Sequence, residues 1–145
     1  MTRPVPYARA WQRHAVARST PSAEQLAADI AAGGSYVFEV DGRVVATFAF
    51  LPGPDECYDV IEDGQWRSDT PYAALHRVAS DGTVHGIAAA MFAFAKERAD
   101  HLRIDTHRDN LPMQGASIKA GFERAGVVYV SDGTPRVAFD WLREA

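Results

Sequence analysis

The chain has 145 residues, 47% of them hydrophobic, and carries a formal charge of −4 from 15 basic and 19 acidic side chains. That length buries enough surface for one enzyme-sized core without a staple, and the single cysteine, Cys57, excludes an internal disulfide or a cysteine zinc cluster. With no dense block of Lys or Arg, non-specific nucleic-acid binding is not expected. The longest apolar run, 87–95, falls well short of the roughly 20 residues of a membrane span.

The start of the chain lacks the apolar stretch of a secretory signal, so a reducing, cytoplasmic setting is expected. Residues 1–21 have scattered charge and no clear period, and read as a loosely ordered arm or a partial helix around Ala8 to Ala17, ahead of a single domain over 22–145. Ser22 is placed to cap a short helix over 22–32, closed by Gly33-Gly34. β-Branched and aromatic runs at 35–40 and 44–51, joined by Asp41-Gly42, predict an antiparallel hairpin. The connection 52–71 is long for a compact domain and has room for a short strand at 58–61. A buried strand at 72–79 then turns through Ser80-Asp81-Gly82 into an apolar helix over about 84–100, with Ile87, Met91, Phe94 and Arg98 on one stripe. The next strand is 102–106, so strand, helix and strand make a right-handed parallel crossover, whose ligands bind at the carboxyl ends of the strands. A helix over 111–120 ends at Gly121, and 127–130 with 136–141 form a last hairpin around Asp132-Gly133.

The segment 78–88 carries most of the chemistry. A strand runs through a short loop straight into a helix, whose first amides lack internal partners and whose dipole favours an anion. Gly86 keeps side chains out of the way of a diphosphate, and Ala88, Ala89 and Ala90 let a bulky ligand approach.

These residues resemble the signature of the GNAT superfamily of acetyl-CoA-dependent N-acetyltransferases, Q/R-x-x-G-x-G/A following a strand. Here it falls on Thr83, Val84, His85, Gly86, Ile87 and Ala88, with Val78 ending the strand and Thr83 departing from the usual Gln or Arg. Asn110 followed by Gly121-Phe122 is similar to a second block of that superfamily, and 75–79, 102–107 and 126–136 are similar to a bacterial branch of it. The resemblance spans 22–142. It implies an α/β GNAT fold with a central mixed, mostly antiparallel sheet, in which two parallel strands splay to admit the pantetheine arm of acetyl-CoA. Backbone groups of Val78, Ala79 and Ser80 would meet that arm, amides from Thr83 to Ala88 would hold the pyrophosphate, and Asn110 would reach the cofactor. Only 21 residues precede Ser22, where the superfamily places a strand and a helix, so the first strand is expected to be missing or supplied differently. The exposed edge that results would favour a homodimer.

Acetyl transfer needs a neutral amine, whose free pKa is about 10, so its proton must be taken by a base or by water. His76, beside the expected thioester and with an ordinary pKa of about 6.5, is the first candidate base; Glu62, Asp59 and Asp105 are the others. Where many GNAT enzymes have a tyrosine acid seven residues after the Asn, this chain has Ser117, suited only to donating a hydrogen bond or holding a water. Asp105, His107 and His101 share a strand face but form no ligand cluster with other residues, so no metal is expected. Arg77, Arg108 and Lys119 could reach a phosphate or be plain surface charge. The acidic connection 52–71, with Tyr58, Glu62 and Trp66, is the expected acceptor-binding wall for a primary amine on a small molecule or peptide. Two other readings stay open: a noncatalytic relative that binds a CoA ester as a sensor, and an interaction scaffold with no ligand.

Overall fold

The computed structural model describes residues 4–6 and 22–144. One seven-stranded sheet runs through the molecule in the order β1-β2-β3-β4-β5-β7-β6, with all neighbours antiparallel except β4 and β5. The arm expected at 1–21 supplies a strand: β1 (Pro4–Pro6) pairs along β2 (Ser35–Val40), so the first strand is present, in shortened form. The helix expected around Ala8 to Ala17 lies outside the described residues.

Helix α1 (Ala23–Ala31) is opened by a full capping box, in which the Ser22 hydroxyl accepts from the Gln25 amide and the Gln25 side chain accepts from the Ser22 amide. Asp41 and Gly42 both take positive φ, 51° and 78°, the type I′ geometry that matches strand twist, and so join β2 to β3 (Arg43–Pro52) as expected. β4 (Ala73–Ser80) leads to α2 (Ile87–Lys96), β5 (His101–Thr106), α3 (Leu111–Lys119), β6 (Glu123–Tyr129) and β7 (Pro135–Leu142).

Three expectations are corrected. No strand forms at 58–61; Asp55 accepts from the Cys57 amide and starts a single 3₁₀ turn, Glu56–Tyr58, and the segment pairs with the sheet backbone through an isolated bridge between Glu62 and Val127. That bridge needs glycine on both sides, because a Cβ on Gly64 would strike the Ala125 carbonyl and one on Gly126 the Glu62 carbonyl. Helix α2 is shorter than 84–100: Gly86, at φ +84°, is a left-handed cap, and Glu97 ends the helix. β6 begins four residues earlier than expected, because a bulge between Arg124 and Gly126 breaks the alternation that marks a strand in sequence.

Side chains divide by strand period. Leu75, Leu102, Ile104 and Phe139 face α2, where Met91, Phe92 and Phe94 complete the main core; fully burying each such side chain is worth about 1.5–3 kcal/mol. Ala74, Ala138 and Val128 face the other way, under Tyr58, Trp66 and Tyr72. The connection 53–71 thus crosses the second face of the sheet as a strap. Arg67 holds it: its amide and Nε donate to the two Asp140 carboxylate oxygens at 2.9 and 2.7 Å, and Nη2 donates to the Asp140 carbonyl at 2.9 Å. Arg103, sandwiched between Trp66 and Tyr72, donates to the Ser68 carbonyl. No helix among the described residues is long and apolar enough to cross a membrane.

Candidate functional site

The parallel pair is short. β4 and β5 are joined only at Ala73–Leu102, Ala74–Arg103 and Leu75–Ile104, although both strands continue. The ladder to β3 slips at the same place, where the single residue Phe48 stands opposite Arg77 and Val78, and Arg77 sits at φ +51°. This bulge turns the end of β4 away from β5 and leaves their facing backbone edges unpaired past Leu75 and Ile104. Val78, Ala79 and Ser80 lie on the open stretch of β4, where Ala79 and Ser80 are still paired with Thr47 and Ala46 of β3.

The mouth of α2 stands next to it in sequence. The first helical bond runs from the Ala90 amide to the Gly86 carbonyl at 3.0 Å, so the amides of Ile87, Ala88 and Ala89 precede it. Gly86 has no side-chain cap and nothing within 4 Å of where a Cβ would stand. Gly86 and His85 are exposed, and Val84 packs against the core. The Thr83 hydroxyl is engaged elsewhere: it donates to Asp81 at 2.6 Å and accepts from Arg43 at 3.0 Å. These bonds from Thr83 hold the Asp81 carboxyl below its ordinary range.

On the strap face, His76 and Asp105 are the first residues beyond the last β4–β5 pair. His76 Nε2 lies 2.7 Å from Asp55 Oδ2, and Nδ1 lies 3.8 Å from Asp105 Oδ2. The Tyr58 hydroxyl donates to Asp105 Oδ2 at 2.6 Å, and Arg136 Nη1 stands 3.8 Å from Asp105 Oδ1. Hydrogen bonding to His76 holds the Asp55 carboxyl below its ordinary range against its partial burial. Burial, reinforced by the Asp105 charge, pushes the Tyr58 phenol well up. The imidazole is 17% exposed, so it is both flanked by carboxylates and reachable.

Other expected residues lie apart or are occupied. Tyr58 is fully buried and supports Asp105 rather than forming an open wall. Trp66 is half-buried, with its indole N–H donating to the Tyr58 carbonyl. Glu62 is exposed at the β6 edge, where it accepts from the Tyr129 hydroxyl at 2.9 Å. Asn110 caps α3 through the Met113 amide. Ser117 is fully buried and donates to the Met113 carbonyl at 2.7 Å, so its proton is committed to its own helix. Arg77 is clamped to Asp29, its Nη2 2.7 Å from Oδ1, and is not free for a phosphate. His101 is buried against Thr70, and among the described residues no three His, Cys, Asp or Glu side chains are grouped to hold a metal ion. Asp55 and Arg136 were not singled out in the sequence; no local period links Asp55 to a histidine 21 residues away.

A mixed sheet parted within its one parallel pair, with an uncapped helix mouth following the parted strand, is the arrangement that the resemblance to the GNAT superfamily implies. No family model matches the chain, and no curated protein matches it. Solved structures do. An acetyltransferase of the GNAT family from Streptococcus agalactiae is 30% identical, with 84% of this chain covering 72% of that one at a TM-score of 0.76. The chain belongs to the GNAT family of acetyltransferases. A ribosomal-protein-alanine N-acetyltransferase from Brucella melitensis (17% identity, 82% of this chain and 75% of that one, TM-score 0.56) has the same fold. So does the aminoglycoside acetyltransferase AAC(6′)-Ib, solved with coenzyme A and kanamycin (21% identity, 75% and 66%, TM-score 0.54).

Proposed function

We propose that this protein transfers an acetyl group from acetyl-CoA to a primary amine of a small molecule or peptide. The observation that carries the reading is the opening of β4 from β5 immediately beside His76, with the free amides of α2 following on the same chain. The backbone of Val78, Ala79 and Ser80 pairs with the pantetheine arm, and amides between Thr83 and Ala88 hold the pyrophosphate. The amine nitrogen attacks the thioester carbon, a backbone N–H of Val78 or Ala79 stabilises the oxyanion, and the C–S bond breaks to release the thiolate. His76 takes the amine proton, which passes on to the sulfur or to water. Ser117 supplies no proton, because its hydroxyl is turned into α3.

The relatives support this donor and acceptor: a protein of the same fold is solved with coenzyme A and kanamycin, an amine-bearing acceptor. The strap is acidic at Asp55, Glu56, Asp59, Glu62, Asp63 and Asp69, which suits a cationic amine. Free Cys57 suits a reducing, cytoplasmic setting.

The committed Ser117 hydroxyl favours one second reading, a noncatalytic relative that binds a CoA ester. Thiol release from acetyl-CoA with a panel of amines, alongside calorimetry with CoA, separates them. Turnover supports the enzyme, binding without turnover supports the sensor, and no binding at millimolar CoA removes both.

A further inference from the structure

The two ring nitrogens of His76 face carboxylates from two different elements, and the two contacts differ in kind. Asp55 Oδ2, from the strap, lies 2.7 Å from Nε2, a short charge-assisted hydrogen bond. Asp105 Oδ2, from β5, lies 3.8 Å from Nδ1, beyond hydrogen-bond range. A neutral imidazole has one N–H, and an ionised carboxylate can only accept. In the neutral ring the proton therefore sits on Nε2 and the lone pair on Nδ1, which makes no hydrogen bond among the described residues. Asp105 does not compete for the imidazole proton, because its nearer oxygen, which accepts the Tyr58 hydroxyl at 2.6 Å, stands 3.8 Å from Nδ1, beyond hydrogen-bond range.

Asp55 is itself held from both ends. Its amide donates to the Tyr72 hydroxyl at 2.7 Å, and Oδ1 accepts from the Cys57 amide at 2.9 Å. One carboxylate oxygen shapes the strap while the other grips the histidine. We infer that Asp55 is a positioning residue for the transfer: it fixes His76 in the Nε2–H tautomer and presents Nδ1 across the opening between β4 and β5 as the atom that accepts the amine proton. This rests on the assignment of His76 as the base. When nitrogen bonds to the thioester carbon and the electron pair of the broken C–S bond leaves on sulfur, the amine proton moves to Nδ1. The imidazolium then stands between Asp55 and Asp105, with the Tyr58 ring 5.7 Å away and Arg136 behind Asp105, and returns the proton to sulfur or water.

The test is Asp55→Asn, which keeps an oxygen for the Cys57 amide, made in wild-type and His76→Ala backgrounds. Thiol release is measured against pH, and ¹⁵N chemical shifts of the His76 ring report its tautomer. The wild-type protein is expected to show the Nε2–H form. Asp55→Asn is expected to lower kcat by about 10-fold or more, as removal of a carboxylate behind a histidine commonly does, with KM for acetyl-CoA unchanged and the acid limb of the profile moved to lower pH. In the His76→Ala background the same substitution is expected to change nothing. A wild-type kcat and profile in Asp55→Asn, an Nδ1–H tautomer in the wild type, or an undiminished effect in the His76→Ala background overturns the positioning role while leaving His76 as base. Full activity in His76→Ala overturns the base assignment, and the positioning role with it.

Discussion

Placing a carboxylate at the mouth of α2 tests the anion site. Gly86→Glu puts a side chain on a residue at φ +84° with no heavy atom within 4 Å of the new Cβ. Nothing clashes, so the cost to folding is the left-handed backbone alone, about 1–2 kcal/mol, or about 3–7 °C in Tm for a domain of this size. The cost to CoA binding is different in origin. Like charges about 4 Å apart repel by about 1 kcal/mol each even at the dielectric constant of water, so two phosphates give about 2 kcal/mol, or about 30-fold in Kd. Gly86→Asn separates the two effects, since asparagine tolerates this backbone and adds no charge. Calorimetry with CoA and a thermal melt on all three proteins complete the experiment. A folded Gly86→Glu protein that binds CoA as tightly as the wild type would refute the placement of the diphosphate at this helix.

His76→Ala is expected to reduce kcat by about 10²- to 10⁴-fold and to flatten the acid limb of the rate profile; an unchanged profile moves the base to Glu62 or to water. Arg67→Ala keeps the backbone amide bond but strips the two guanidinium hydrogen bonds from the fully buried Asp140 side chain and its carbonyl, and is expected to cost about 3 kcal/mol in urea unfolding; wild-type stability would show that the strap is held elsewhere. Burial opposes ionisation of Asp140, but His101 and Arg67 together outweigh it and hold its carboxyl below the ordinary range, as His76 does for Asp55. A depressed carboxylate stabilises the fold fully above its unfolded pKa, about 3.9, and loses that contribution as pH falls through its folded value. Tm is therefore expected to fall below about pH 4, less steeply in Asp140→Asn, and a wild-type Tm flat down to pH 2 would contradict this.

What could be read from the sequence divides by the range of the forces involved. Local rules recovered Ser22 as a cap, the Asp41-Gly42 turn, Gly86 at a helix mouth and the parallel crossover, because each depends on neighbours within a few residues. The strap was legible only as a long acidic connection. Its order comes from Arg67 meeting Asp140, Tyr58 meeting Asp105, and Glu62 meeting Val127, contacts between segments 47 to 73 residues apart. For that reason Tyr58 is expected as an acceptor wall and is instead buried, and Asp55 is legible only as one of the acids of the connection although it holds the candidate base. Ser117 was placed correctly on its helix, but the direction of its hydroxyl depends on a carbonyl one turn earlier, a choice that no side-chain pattern records.

The opening of the sheet and the docking of α1 are one construction. A non-glycine residue with positive φ, such as Arg77, is strained by about 1–3 kcal/mol and persists only where its surroundings hold it. Here the guanidinium grips Asp29 with two hydrogen bonds, and Asp29 is the buried residue of α1, a helix whose Ile30 remains exposed. An ordinary amphipathic helix would bury its aliphatic face; this one buries a carboxylate whose partner is the bulged residue. The same bulge ends the β4–β5 ladder and leaves His76 at the first open step. Relaxing Arg77 to an extended conformation would let β4 continue along β5 and close the opening between the two strands. The ion pair between α1 and β4 therefore holds the bulged backbone one residue away from the His76 imidazole.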